Sequence, residues 1–446
     1  MSTNTKHDIK IAEEIKHLSL DEIEELYIRY LNGEKNSLLT HDYKIDINPN
    51  KLLYVLPPRV KFDKNCPYCD ITMFKKRQSK SATNFNLPPA QCYECNHKEY
   101  LKNKGYRTQT CDCESCLKIE RDQASAKEVE TRNKIVIQHS TNNHQPVSYC
   151  DLKFNHKLTL LTLFLIKTNE SFDFIVSLDD ISKSGLFTPT KKMDIDLIME
   201  LYSLKIIIID PNSKVDAFIE SEEGGLDSFY ISKIQWIPNV FLGREERLEL
   251  SEIYNKLYDE LKDGVQSYWE SEVHSLLFTI AREEVLQYIY VKADELNVEF
   301  SAELKTREIV NQLLNIFSVA EVYYFAHKAV ESAHLFYHKG FAKSKKHAAN
   351  TIPNKMLSLA ERAVSERWVK NEFSRDSRAP RSHISKILYD FLLKDENAGF
   401  SKAPGKYWEE ELYPMFFSGA SPQASSLCCS RCGTTSVVIK MVLDTL

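Results

Sequence analysis

The sequence predicts a mainly α chain with small β pieces, divided into several domains. Three observations carry this. Apolar residues recur at helical spacing through most of residues 244–416, broken at Gly264, Gly340, Pro353 and Pro380. Short strand-like runs bounded by turn residues lie upstream, as where Ile206–Ile209 meets Asp210-Pro-Asn-Ser213. Seven of the eleven cysteines fall within the 51 residues from Cys66 to Cys116. These shifts divide the chain at 1–58, 59–135, 136–240, 241–417 and 418–446, a number of domains that 446 residues allow.

Composition bounds the classes. Apolar residues make up 43% and charged residues 27%, enough for real cores and a wet surface. The net charge of −5 argues against a global polyanion-binding surface, so any such surface is local. The polar N-terminus carries no secretory apolar region. The longest apolar run, Leu158–Ile166, is too short to span a bilayer. A cytoplasmic protein with no membrane partner is expected.

In residues 1–58, Ser19-Leu-Asp-Glu22 is a capping box, and Ile23, Leu26, Tyr27, Tyr30 and Leu31 then recur at helical spacing. Asn32-Gly33 ends that helix. Ser37–Tyr43 fits a second helix. Pro49–Leu56 fits a third, started by proline and stopped by Pro57-Pro58. This pattern resembles the helix-turn-helix of resolvase-type DNA-binding domains. The resemblance implies that Asn48, Asn50 and Lys51, at the start of the third helix, meet the groove. A tri-helical packing unit without DNA is the plainer alternative.

The cysteines of residues 59–135 read Cys66-Pro-Tyr-Cys69, Cys92-Tyr-Glu-Cys95 with His97, and Cys111-Asp-Cys113-Glu-Ser-Cys116. Cys69 and Cys92 are separated by 22 residues, and Cys95 and Cys111 by 15. A tight turn between paired cysteines brings both thiolates onto one ion, and tetrahedral zinc takes four Cys or His ligands. These eight ligands make two closed, structural sites, so two Zn2+ ions are expected. Sequential grouping, with Cys66, Cys69, Cys92 and Cys95 on one ion, is simplest, and interleaved grouping is open. Disulfides would call for an oxidising compartment. An iron–sulfur cluster would leave the second set of ligands unused. The module resembles a zinc ribbon. Lys75, Lys76, Arg77, Lys80, Lys98, Lys102, Lys104 and Arg107 interleave with Tyr68, Phe74, Phe85, Tyr93, Tyr100 and Tyr106. Such a mixture suits phosphates and bases, or equally a small core with solvated lysines. A charged helix over 117–135 leads onward.

In residues 136–240, helices are expected at His156–Lys167, Ser177–Ser184 and Asp194–Leu204, then strands at Ile206–Ile209, Val215–Glu220 and Phe229–Ile237. This order resembles a winged helix. Glu220, Glu222, Glu223 and Asp227 at the wing would repel phosphate, so docking of a protein partner or a second copy is favoured there. Residues 241–417 read as helices at Arg244–Lys262, Ser267–Leu296, Ala302–Phe317, Ala320–Tyr337, Asn354–Lys370, Ser382–Leu393 and Tyr407–Phe416. Between Lys339 and Lys386 stand 12 Lys or Arg against 4 Asp or Glu. Lys343, Lys345, Lys346, Arg375, Arg378 and Arg381 are the expected phosphate contacts. His327, His334 and His338 read as a packed interface rather than a metal site. In the tail, Cys428, Cys429 and Cys432 form half a knuckle of undecided role.

The sequence shows no phosphate-cradling loop, metalloprotease motif or nucleophile elbow. Arg378-Ala-Pro-Arg-Ser-His383 resembles the R-x4-H motif of HEPN ribonucleases, common in bacterial toxins and antiviral defence. That resemblance implies Arg378 on phosphate and His383 on the 2′-hydroxyl proton. Pro380 falls inside the string, where such domains keep a helix. The favoured reading is a zinc-binding, nucleic-acid-binding protein, DNA over RNA, acting by binding as a regulator or recognition subunit. A ribonuclease effector and a protein-docking assembly subunit are its rivals.

Overall fold

The computed structural model describes residues 11–82, 87–100, 110–169, 171–180, 185–226, 228–368 and 373–418. The chain forms two compact units, Met1–Thr131 and Arg132–Leu446, and is mainly helical with small sheets.

The first unit opens with α1 (Leu20–Leu31), α2 (Asn36–Asp42) and a 3-10 turn (Pro49–Lys51) running into α3 (Leu52–Val55). The Ser19 capping box forms as the sequence predicts, with both reciprocal bonds to Glu22. Ile23, Leu26, Tyr27 and Tyr30 turn inward onto Leu39, Ile45, Leu52 and Leu56 to make a core of their own. Gly33 takes φ +93°, the left-handed turn that stops α1. A four-stranded antiparallel sheet follows, in the order β1 (Arg59–Asn65), β2 (Thr72–Lys75), β3 (Ala90–Gln91) and β4 (Lys98–Glu99). Its buried cluster contains little besides Met73, Ala90 and the cysteines. Helix α4 (Glu114–Gln138) begins at the last cysteines and carries the chain out of the unit.

The second unit starts with β5 (Val147–Ser148) and α5 (Phe154–Lys167), whose apolar run is buried on nearly every side. Next come α6 (Lys191–Ser203), β6 (Ile207–Ile209), β7 (Phe218–Ile219), β8 (Ser228–Phe229), β9 (Trp236–Pro238), β10 (Val240–Leu242) and β11 (Arg244–Arg247). The strands are short: β6 pairs β9, β7 pairs β8, and β10 lies between β11 and β5. The helices are α7 (Leu250–Lys262), α8 (Glu270–Glu295), α9 (Leu304–Leu314), α10 (Val319–His338), α11 (Lys345–Ala349) and α12 (Ile352–Ser365). The chain closes with α13 (His383–Lys386), which continues as a π-helical turn, then α14 (Ala398–Ser401), α15 (Pro404–Tyr407) and α16 (Tyr413–Ser418).

Three local expectations are corrected. The described part of Ser177–Ser184, up to Asp180, is not helical. The carbonyls of Leu178 and Asp180 accept from the buried ammonium of Lys167, at 3.2 and 2.8 Å, and the Asp180 N–H donates to Ser177 O at 3.1 Å, so the segment is held as a single turn. Arg244–Arg247 is a strand rather than the start of a helix, because Gly243 at φ +85° turns it back onto β10. Val215–Ala217 is a 3-10 turn, leaving only Phe218–Ile219 extended. One apolar cluster unites residues from Ile135 through Ile280 with Ile384–Phe416, so the stretch before 240 shares its core with the stretch after it. The second half of α8 packs with α9, α10 and α12 in a separate cluster.

Candidate metal centre

Both C-x-x-C pairs sit in the hairpin turns of the sheet, the first between β1 and β2 and the second between β3 and β4. Each turn closes in the same way. The Cys66 N–H donates to Ile71 O and the Cys92 N–H to His97 O, both at 2.8 Å. The residue after each second cysteine enters the left-handed region, Asp70 at φ 52° and Asn96 at φ 57°. Asp and Asn are the non-glycine residues that tolerate that conformation best, so the local sequence fits the knuckle.

The hairpins bring the Sγ atoms of Cys66, Cys69, Cys92 and Cys95 within 4.8 Å of one another. A second group, His97, Cys111, Cys113 and Cys116, meets the same limit. The grouping is therefore sequential. His97 reaches the second site because it ends the knuckle that Cys92 and Cys95 begin. Cys113 precedes α4 and Cys116 lies in its first turn. His97 offers Nδ1, which stands 3.3 Å from Cys116 Sγ and 3.7 Å from Cys113 Sγ. Cys66 and Cys95 Sγ are 3.5 Å apart. Tetrahedral zinc, with Zn–S of about 2.3 Å, sets its sulfurs about 3.8 Å apart, close to these spacings.

The electrostatics point the same way. Burial pushes the Cys66 and Cys111 thiols up, yet both end below the ordinary value. Backbone N–H groups of Tyr68 and Cys69 point at Cys66, and those of Lys98 and Cys113 at Cys111. Burial holds the Cys113 thiol up at about 11 and drives that of Cys95 higher still. Four thiols packed together cannot all ionise without a cation. A bound divalent ion removes the conflict and takes all four as thiolates. Each donor set is complete in itself, so the sites can hold metal but leave no evident position for a substrate. Two metal ions fit, and the soft sulfur and imidazole donors are compatible with zinc.

Tyr68, between the first two cysteines, was not among the sequence-predicted site residues. Its hydroxyl donates to Cys116 Sγ at 3.2 Å and its ring meets that of His97 edge-on at 5.0 Å. That hydrogen bond raises the phenol to about 12. The only sequence signal was its place inside the C-x-x-C turn.

The expected polar contacts fare unevenly. Arg77 is withdrawn from solvent: its side chain is 4% exposed, bonds Glu24 and Pro57 O, and lies over the Tyr27 ring. It fastens the sheet to the helices of the first unit. Lys75 is half-buried and Lys76 exposed. Lys98 pairs with Asp112 at 3.0 Å. Asn48 caps the 3-10 turn through its side chain, while Asn50 and Lys51 stand exposed. Tyr54, one turn further on, is 88% exposed.

In the second unit all three expected arginines face carboxylates. Arg375 bonds Glu284, Arg381 bonds Asp390, and Arg378 bonds both Asp376 and Glu295. The sequence count missed this because the acidic partners of Arg375 and Arg378 include residues of α8, far away in sequence. Lys343 and Lys346 are exposed and Lys345 half-buried, with no carboxylate on any of them among the described residues. His383 stands at the start of α13 with its ring over Gly185, while Arg378 is held by Asp376 and Glu295. His334 Nδ1 bonds Leu296 O and His327 pairs with Glu331, as a packed interface requires. Cys428, Cys429 and Cys432, together with Lys102, Lys104, Arg107, Phe85 and Tyr106, lie outside the described residues. No helix among the described residues is long and apolar enough to cross a membrane.

No protein-family model, curated protein or solved structure matches the chain.

Proposed function

We propose that the chain is a zinc-binding, non-catalytic protein that binds nucleic acid, DNA in preference to RNA, as a regulator or recognition subunit. The observation that carries this reading is the outward row Asn50, Lys51 and Tyr54 on the third helical element of the first unit. The element is anchored by buried Leu52 and Leu56, so the row is rigid. A cation and an amide side by side, with an aromatic ring about one turn further on, are the groups that meet phosphate, base edge and thymine methyl or sugar. Zinc would act structurally, holding the sheet that Arg77 fastens to these helices. Lys343, Lys345 and Lys346 add a cationic patch in the second unit.

The test is a fluorescence-anisotropy titration with duplex DNA, single-stranded DNA and RNA over several salt concentrations. Duplex binding that weakens steeply with salt is expected, with at least a tenfold loss in Lys51→Glu/Tyr54→Ala. No binding to any of the three at low salt overturns the reading and leaves protein docking as the better account.

A further inference from the structure

We infer that the turn after α10 is a contact for single-stranded nucleic acid, with Phe341 as the platform on which a base stacks. This rests on the nucleic-acid reading above and gives the second unit its own ligand class. Helix α10 stops at Lys339, and Gly340 at φ +77° turns the chain outward. Phe341 follows and is 67% exposed, although the Phe341 N–H still donates to Phe336 O at 3.1 Å. Its ring is not loose. It stacks on Phe336 with centroids 6.1 Å apart and planes at 27°, and His347 meets Phe336 edge-on from 6.0 Å. One face is thus backed by the Phe336 ring, itself braced by His347, while the ring as a whole remains largely in water. An apolar ring held open in this way gains most from a flat π partner.

The charge around it is of one sign. Between Glu331 and Glu361 the chain has five lysines and no acidic residue. Lys339, Lys343 and Lys346 are exposed, and none of them is engaged by a carboxylate among the described residues. Of the arginines further along the same basic stretch, Arg362, Arg375, Arg378 and Arg381 are neutralised by such pairs. Among the described residues, Lys339, Lys343 and Lys346 thus stand exposed and free of carboxylates within five residues of Phe341 in the chain. Lysines around an exposed ring match a strand whose phosphates and unpaired bases are both accessible. A duplex offers the phosphates but keeps its base faces stacked.

The test uses the full chain with a labelled oligothymidylate and a duplex of mixed sequence, each titrated across salt. Phe341→Ala, at an exposed position, is expected to keep the melting temperature and to weaken oligothymidylate roughly tenfold with the salt slope unchanged. Duplex affinity should be unaltered. Lys343→Gln/Lys346→Gln should instead flatten the slope for the single strand by about 1.4, two phosphate contacts' worth. Phe341→Trp should retain binding and add a fluorescence signal quenched by the oligonucleotide. If the wild-type chain binds duplex but no single strand, or if Phe341→Ala binds oligothymidylate like the wild type, this inference falls and the nucleic-acid reading stands. If neither nucleic acid binds, both fall. Binding only to vesicles containing phosphatidylserine would assign the turn to a membrane surface and overturn it as well.

Discussion

Tyr68 shows how much one hydroxyl can carry. It belongs to the knuckle of the first metal group but bonds a ligand of the second, and outer partners of this kind orient and tune ligands. Tyr68→Phe keeps the ring against His97 and deletes the bond to Cys116. Metal affinity at the His97 group should drop by roughly tenfold or more while the four-cysteine group is unaffected. Chelator competition on cobalt-loaded protein separates the two, since sulfur-only and mixed sites absorb differently; equal loss at both would refute the assignment. Asp376 is a second such residue. The Arg378 N–H, helped by the Arg378 and Lys292 side chains and opposed by burial, holds its carboxyl well below the usual carboxylate range. Its folded pKa is depressed, so its contribution is complete above the unfolded value of about 3.9 and is lost as pH falls through that range. The stability gap between the wild type and Asp376→Asn, read from urea midpoints, should be widest near neutrality and shrink as pH falls below about 4.

At the scale of elements, the long helices were legible because burial writes a 3.6-residue period into them. Helix α8 was legible for a different reason. Its first half faces one core and its second half another, so its apolar residues spread round the helix rather than along a single stripe. The two C-x-x-C knuckles were legible because the turn chemistry is local. The non-helical turn at Ser177–Asp180 was not. Its Ser and Asp resemble a helix cap, and nothing nearby in sequence announces that Lys167 will claim its carbonyls. The pairs of Arg77 with Glu24, Arg375 with Glu284 and Arg378 with Glu295 were hidden for the same reason, since each of these carboxylates is distant in the chain. The seat of α15 was equally hidden. A Cβ on Gly405 would lie 2.7 Å from the carbonyl oxygen of Asn315 and 2.8 Å from its Cα, backbone that cannot swing aside. Gly405→Ala should cost about 1–3 kcal/mol in chemical denaturation. A variant as stable as the wild type would show that the two segments separate freely.

For the molecule as a whole, charge counted along the sequence overstated the basic surface. The excess between Lys339 and Lys386 is divided in the folded chain. Arg375, Arg378 and Arg381 are held by carboxylates, and Lys339, Lys343 and Lys346 near Phe341 in the chain remain in water. The two units also hold themselves together by different means. The second has two extensive apolar clusters, and the helices of the first have a compact one. Among the described residues, the sheet of the first unit has a small one, Met73 and Ala90 with the ligand cysteines. With so small an apolar reserve among the described residues, an ion held by these ligand groups would make the folded fraction of that sheet follow the free ion concentration, because ligand binding to the folded form shifts the balance. Supply of the ion thus acts on this segment much as temperature acts on an ordinary domain, and a shortage would melt it while the helical cores stayed intact.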